Sequence, residues 1–503
     1  MLASIPSATL LGVDGHPVTV EVHVAVGIPS FAIVGLPDAA CREARDRIRA
    51  ALATSGIEWP NKKITVNLAP SGLRKIGSGL DLAMAVGLLV ASERVPSFAV
   101  DGVGFVGELG LDGSIRPVPG VLSLVDALEC RSIVVGPGAY HEAALLSGAR
   151  VQVAWNLVEL FDALLGLQPW PGPPPQPQAP PEPPPPDLAD VRGQPVARFA
   201  LEVAAAGNHH VLFVGPPGAG KTMLARRLPG LLPPLDDQIA LESTRVHSAA
   251  GMGRAGGLMR RPPFRSPHHG ASSVSLAGGG SGAVRPGEIS LAHGGVLFLD
   301  ELGEFQATVL DVLRQPLEEG VIRVARAAVR VELPAQFLLV AAMNPCPCGE
   351  GGILAMCRCS PAAQARYRRR VSGPLLDRFD LRVEVARPEV DHLLVSGREE
   401  PSAAVAARVA RARALAHGRG VRSNAELRGE PLDEAAPLTA GAKSVLETAL
   451  RAGRLSGRGA SRVRAVARTI ADLRDAKSVD AEHIALAMTL RVDPFDRFDR
   501  VAS

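Results

Sequence analysis

The chain has 503 residues, a net charge of +3 and 47% hydrophobic residues. That length exceeds what one core supports, so two to four domains are expected, and the mild charge names no partner by itself. No basic-plus-apolar leader and no run of 18 apolar residues occurs, which leads us to expect a soluble, cytoplasmic protein with no membrane partner.

Aromatic residues are only 4%, so the cores must be built from Val, Leu, Ile and Ala. Six cysteines are present, four of them between positions 346 and 359, a distribution unlike a secreted disulfide framework. Cys41 and Cys130 stand alone and are expected to be small buried hydrophobes.

Residues 1–166 alternate short apolar runs with helical patterns. Positions 18–24, 31–36, 64–68 and 132–135 read as strands. Positions 39–54 carry apolar residues at helical spacing, and 81–91 is a nearly all-apolar helix, hence buried. This is a complete α/β domain. A linker follows over 167–187, where twelve of the eighteen residues 169–186 are proline. Such a stretch forms neither helix nor central strand, and it would reach roughly 55 Å if fully extended.

Residues 188–390 hold the strongest signal. Gly215, Pro216, Pro217, Gly218, Ala219, Gly220, Lys221 and Thr222 form a complete phosphate-binding loop, G-x-x-x-x-G-K-[ST]. An apolar strand at 211–214 precedes it and a helix begins at Thr222, which is the context the motif requires. Backbone N–H groups of the loop and the helix N-terminus cradle phosphate oxygens. Lys221 reaches the β- and γ-phosphates of ATP, and Thr222 ligates Mg²⁺. A second apolar strand, 296–299, delivers Asp300 and Glu301. Asp300 holds the Mg²⁺ shell, and Glu301 orients and polarises the attacking water. A third strand, 337–343, ends in Asn344, placed to bond the γ-phosphate or that water.

Cys346 and Cys348, then Cys357 and Cys359, pair as C-x-C. Four thiolates this close suit a structural tetrahedral Zn²⁺, which leaves no open coordination position. An iron–sulfur cluster and four unliganded thiols are the alternatives. Two arginine-bearing segments, 260–285 and the hairpin-like 321–331, are candidates for tracking the phosphates of DNA without reading its sequence. Residues 391–503 show helical patterns at 402–416, 440–452, 460–473 and 481–490, which form a helical lid over the nucleotide.

The order of these motifs, followed by Ser372, Gly373, Pro374, Leu375, Leu376, Asp377, Arg378, Phe379 and Asp380, resembles AAA+ ATPases of the Mg-chelatase-like clade and, within it, the ComM (YifB) family. The phrases at 263–269, 286–295 and 467–473 fit the same family. So do 66–70, 77–82 and 107–113 in the N-terminal domain, which is similar to the Lon protease domain. The resemblance covers nearly the whole chain outside the linker. It implies a Lon-protease-like α/β domain, a P-loop AAA+ αβα core with a parallel sheet, and a C-terminal helical lid. It implies a hexamer, with Arg378 as an arginine finger reaching the neighbouring subunit's ATP. Such fingers are worth about 10³–10⁵ in rate. Arg462 looks like the sensor arginine for the nucleotide of its own subunit, with Arg458 as its rival. The implied activity is ATP-driven helicase and branch migration on single-stranded or branched DNA during natural transformation. The alternatives are a Mg-chelatase-like ATPase that remodels a protein partner, and a Lon-like peptidase. Lon-type peptidases use a Ser–Lys dyad. Here the two positions align with Gly79 and Leu122, and Ser78 lies one residue away.

Overall fold

Strict alternation along the chain sets the first sheet. In β2 (Asp14–Ala25), Val18, Val20, Val22 and Val24 are buried while their neighbours face outward. The computed structural model of the chain describes residues 1–147, 150–177, 183–253, 256–280, 284–326, 329–350, 357–389 and 399–492. Among these, β1 (Leu2–Leu11), β2, β3 (Ser30–Val34) and β4 (Lys63–Ala69) form a sheet in the order β1-β2-β4-β3, with only the β3–β4 pairing parallel. The helix Asp81–Ala91 is buried along its whole length, as its apolar composition predicts. It packs between this sheet and β5 (Val103–Val106). A short pair, β6 (Glu108–Leu109) and β7 (Ile115–Arg116), follows. Then β8 (Ser132–Val135) and β9 (Val151–Val153) join β5 in a parallel sheet.

The second sheet carries the phosphate loop. Its strands are β10 (Val211–Val214), β11 (Phe264–Arg265), β14 (Val296–Leu299), β17 (Leu338–Met343) and β18 (Leu381–Glu384). Their order is β11-β14-β17-β10-β18, and every pairing is parallel. Every residue of β10, β14 and β17 is buried. That is why these strands read as unbroken apolar runs: a parallel sheet is covered on both faces. Two antiparallel pairs lie outside it, β12 (Gly278–Gly279) with β13 (Arg285–Pro286), and β15 (Val321–Arg326) with β16 (Val329–Pro334).

Helices Ser402–Gly418, Gly429–Ala435, Ala440–Arg451, Gly457–Leu473 and Ala481–Thr489 complete the described chain. Val409, Val463, Val466 and Ile470 from this group share one core with Leu201 and Phe213. The lid is therefore packed into the sheet domain rather than built around a core of its own.

The linker is not a free tether. Its described residues lie along the two domains it joins, with the carbonyl of Pro183 accepting from Arg261 at 2.9 Å and that of Pro175 bonded to His141 at 3.1 Å. The domains also touch directly. The N–H of Gly120 donates to the Ser248 carbonyl at 2.9 Å, and Arg245 pairs with Asp126. Val13, in the turn between β1 and β2, is 4% exposed and sits among Leu276, Ile322, Val331 and Leu333. The N-terminal domain thus grips the base of the β15–β16 hairpin with one apolar side chain. Placing a carboxylate there without a partner costs on the order of 2–4 kcal/mol. Val13→Asp is expected to lower the thermal midpoint by several degrees and to speed proteolysis in the proline segment. Unchanged values of both would show that this contact stabilises nothing.

Candidate nucleotide site

Sheet register brings the site together. Val214 lies opposite Met343, and Leu299 opposite Ala341. The residues that follow these strands, Gly215, Asn344 and Asp300, therefore emerge side by side at the carboxyl edge. Crevices at that edge, beside the strand where the order switches, are where parallel α/β sheets take ligands.

Within the phosphate loop, Gly218 and Gly220 have φ of 78° and 92°, which glycine adopts without steric cost. The chain then enters the helix Lys221–Ala225. Lys221 is buried, and its Nζ donates to the carbonyls of Gly215 at 2.6 Å and Pro216 at 2.9 Å and to Asn344 Oδ1 at 3.1 Å. Burial pulls its proton affinity down, while Asp300 and Glu301 oppose that shift. Thr222 Oγ1 donates to Asp300 Oδ2 at 2.7 Å. A hydroxyl and a carboxylate oxygen so placed suit the shell of one Mg²⁺.

Glu301 takes a left-handed backbone, φ 51°, unusual for a residue with a Cβ and a form of strain that collects at functional sites. Its N–H donates to Asp300 Oδ1 at 3.0 Å. Its Oε2 lies 3.0 Å from His269 Nδ1. The sequence reading placed His269 in a candidate DNA segment and did not pair it with Glu301. The signal was its position just after β11, which runs parallel to β14 and so returns to the same edge.

The cysteines assemble beside this site. The sulfur of Cys346 lies 3.3 Å from that of Cys348 and 3.7 Å from that of Cys357, and Cys348 to Cys357 is also 3.7 Å. With Cys359 included, all four sulfurs lie within 4.8 Å of one another. A tetrahedron with metal–sulfur bonds of about 2.3 Å has edges of about 3.8 Å, so the set fits one ion. A [4Fe–4S] cluster gives each thiolate its own iron and a [2Fe–2S] cluster places two thiolates on each of two irons, so either spreads the set over more than one metal. The loop touches the phosphate loop. A Cβ on Gly349 would stand 2.6 Å from Pro217 Cδ, and Arg387 joins Glu350 at 2.8 Å and the Pro217 carbonyl at 3.5 Å.

Arg378 and Arg462 lie elsewhere. Leu381 pairs with Val211, the first residue of β10, so Arg378 and Asp380 sit at the amino edge of the sheet. The four residues of β10 put about 13 Å between that edge and the phosphate loop. Arg462 Nη1 donates to the Arg378 carbonyl at 3.0 Å and pairs with Asp380. The structure does not bring Arg462 together with Lys221, although the sequence places it on the nucleotide of its own subunit. Its anchor on Asp380 holds it beside Arg378, at the opposite edge from Lys221. Arg378 pairs with Glu318, and burial plus the nearby Arg462, Arg458 and Arg314 depress its proton affinity. Arg458 is exposed.

Among the described residues of the N-terminal domain, the positions aligned with a Ser–Lys dyad form none. Ser78 donates to the carboxylate of Glu108, Leu122 is buried, and the buried amine of Lys75 donates to the Pro70 carbonyl.

Three family profiles match the chain. They are described as magnesium chelatase, subunit ChlI, over residues 187–393; subunit ChlI of Mg-chelatase, over 20–136; and magnesium chelatase, subunit ChlI C-terminal, over 399–491. The uncharacterized protein YifB of Escherichia coli is 42% identical over 497 residues, 97% of each chain. The competence protein ComM of Haemophilus influenzae is 41% identical over 497 residues, again 97% of each. The DNA replication licensing factor mcm6 of Dictyostelium discoideum is 25% identical over 194 residues, 38% of this chain and 19% of its own. No described helix is long and apolar enough to cross a membrane. Full-length likeness at this level, together with the loop, strands and carboxylates just described, means that the chain belongs to the ComM (YifB) family of magnesium-chelatase-like AAA+ ATPases.

Proposed function

We propose that the protein is a ring-forming, ATP-driven motor on DNA. One observation carries the ring: the groups that hold and attack ATP stand at one edge of the sheet, and Arg378 and Arg462, held by Glu318 and Asp380, stand at the other. A complete site then needs a second copy, with Arg378 and Arg462 offered together to the neighbour's phosphates. Contacts of this head-to-tail kind close into rings when the rotation allows. A hexamer is the number the family resemblance implies. DNA as the track is supported by two of the relatives, one a competence protein and one a DNA replication licensing factor.

Each residue has a part. Lys221 exchanges its carbonyl partners for phosphate oxygens. Thr222 and Asp300 hold Mg²⁺, which supplies neutralising charge on the β- and γ-phosphates. Glu301 takes the proton of the attacking water once its carboxylate leaves His269. His269 is thus a positioning residue that holds the base aside until the pocket fills. Asn344 ties Lys221 to the cysteine loop, and Cys346, Cys348, Cys357 and Cys359 would hold a zinc ion that stiffens that loop. Remodelling of a protein partner is the second reading, favoured by the chelatase-type profiles.

DNA-stimulated hydrolysis separates the two readings. We expect ATP turnover to rise with single-stranded DNA, and forked or three-stranded substrates to be resolved only with ATP. Glu301→Gln should bind ATP but lose 10²-fold or more in turnover, on the order expected for a lost general base. Turnover indifferent to DNA would remove the motor reading. His269→Ala should raise turnover without DNA and so shrink the stimulation ratio. An unchanged ratio would deny His269 its role. Metal analysis should find one zinc per chain, and stripping it should lower ATPase activity and thermal stability together. Protein with no zinc and full activity would refute the structural ion.

A further inference from the structure

The two arginine segments singled out for nucleic acid are only partly neutralised: Arg285 and Arg330 are exposed, and among the described residues neither has an ion-pair partner. Arg323 pairs with Glu319 and Glu332, Arg265 with Glu288, and Arg260 with Asp237. Arg261 is engaged with the Pro183 carbonyl. To take a phosphate, such a guanidinium must first give up its carboxylate, so its net gain is smaller than that of an unpaired one.

A second group of unpaired arginines lies elsewhere. The cysteine loop leads into the helix Pro361–Arg369, capped by Ser360. Arg358, between two of the cysteines, is exposed, as are Arg366 and Arg369 on the helix. Among the described residues none of these three has an ion-pair partner. Glu304 is paired with Arg370 and Glu350 with Arg387. Arg366 and Arg369 are three apart and share one helix face, with about 5–6 Å between their Cβ atoms. The opposite face is fixed, since Tyr367 is buried and Gln364 reaches Cys357 Sγ and the Cys359 carbonyl, each at 3.5 Å.

We propose that Arg358, Arg366 and Arg369 form a contact surface for the sugar–phosphate backbone of a DNA strand. This rests on the motor reading and adds to it a site that the motifs did not indicate. A protein partner fits this face less well. Protein interfaces carry an apolar centre. Among the described residues no large hydrophobic side chain is exposed between Val274 and Leu415. Phosphates need only charge, and three unpaired guanidiniums supply it. The surface also has a route to the ATP site. The helix is bonded to the cysteine loop, and that loop follows Asn344, which holds Lys221.

The test uses the full chain with a non-hydrolysable ATP analogue and a fluorescent oligo-dT, titrated at several salt concentrations. The triple variant Arg358→Gln, Arg366→Gln, Arg369→Gln should lose about 2 from the slope of log affinity against log salt, at about 0.7 per phosphate contact on a single strand. Near 0.1 M salt that is a loss of roughly 100-fold. ATP turnover without DNA, ring assembly and zinc content should stay as in the wild type. The double variant Arg366→Gln, Arg369→Gln, which spares the cysteine loop, should show about two-thirds of the change in slope. Arg323→Gln should leave the slope unaltered. A wild-type slope in the triple variant would overturn the proposal. So would loss of assembly or of basal turnover along with DNA binding, which would make this face a subunit contact. Wild-type protein that binds no DNA at all would instead bring down the motor reading, and this surface with it.

Discussion

Parallel pairing of β10 with β17 and β18 is the constraint on which the rest of the structure depends. Parallel strands all end at the same edge. The phosphate loop, Asn344 and Asp300 therefore converge without any long-range search by their side chains. The same pairing sends every residue that precedes a strand to the other edge, and Arg378 precedes β18. On the proposed reading, one sheet thus carries two half-sites, and a second copy of the chain joins them.

A buried carboxylate ties the lid to this arrangement. Burial works against the charged form of Asp380, yet the hydrogen bond and charge of His209 and the charge of Arg462 outweigh it and hold Asp380 well below the usual carboxylate range. His209 is in turn 2.8 Å from Thr469 on the helix Gly457–Leu473. Breaking a buried pair by removing one partner commonly costs about 3–5 kcal/mol. The network joins the lid helix Gly457–Leu473 to the segment that carries Arg378. At the other edge the cysteine loop does similar work, pressing on Pro217 while Asn344 holds Lys221.

The chemistry of the pocket was legible because it is carried by short local patterns. The loop motif, the apolar run ending in Asp300 and Glu301, and the run ending in Asn344 each declare a strand and its terminal residue. The strand limits at 211–214 and 296–299 agree with the structure for the same reason. The pairing of His269 with Glu301 was not legible, because it depends on where a two-residue edge strand inserts. Nor was the location of Arg462, since a helix reads as a helix wherever it packs and its partner Asp380 is 82 residues away. The neutralised state of Arg323 and Arg265 was hidden for a related reason. A count of arginines carries no information about which carboxylates fold against them.

The claim at the centre is that one catalytic site is shared by two copies of the chain. Mixing two inactive proteins addresses it most directly, one with Lys221→Ala and the other with Arg378→Ala. In a mixed ring an intact Lys221 half-site can meet an intact Arg378 from next door. ATP turnover of the mixture should then rise well above that of either variant alone, with a maximum near equal proportions. A mixture no more active than its parts, or an Arg378→Ala protein with full activity by itself, would contradict the account.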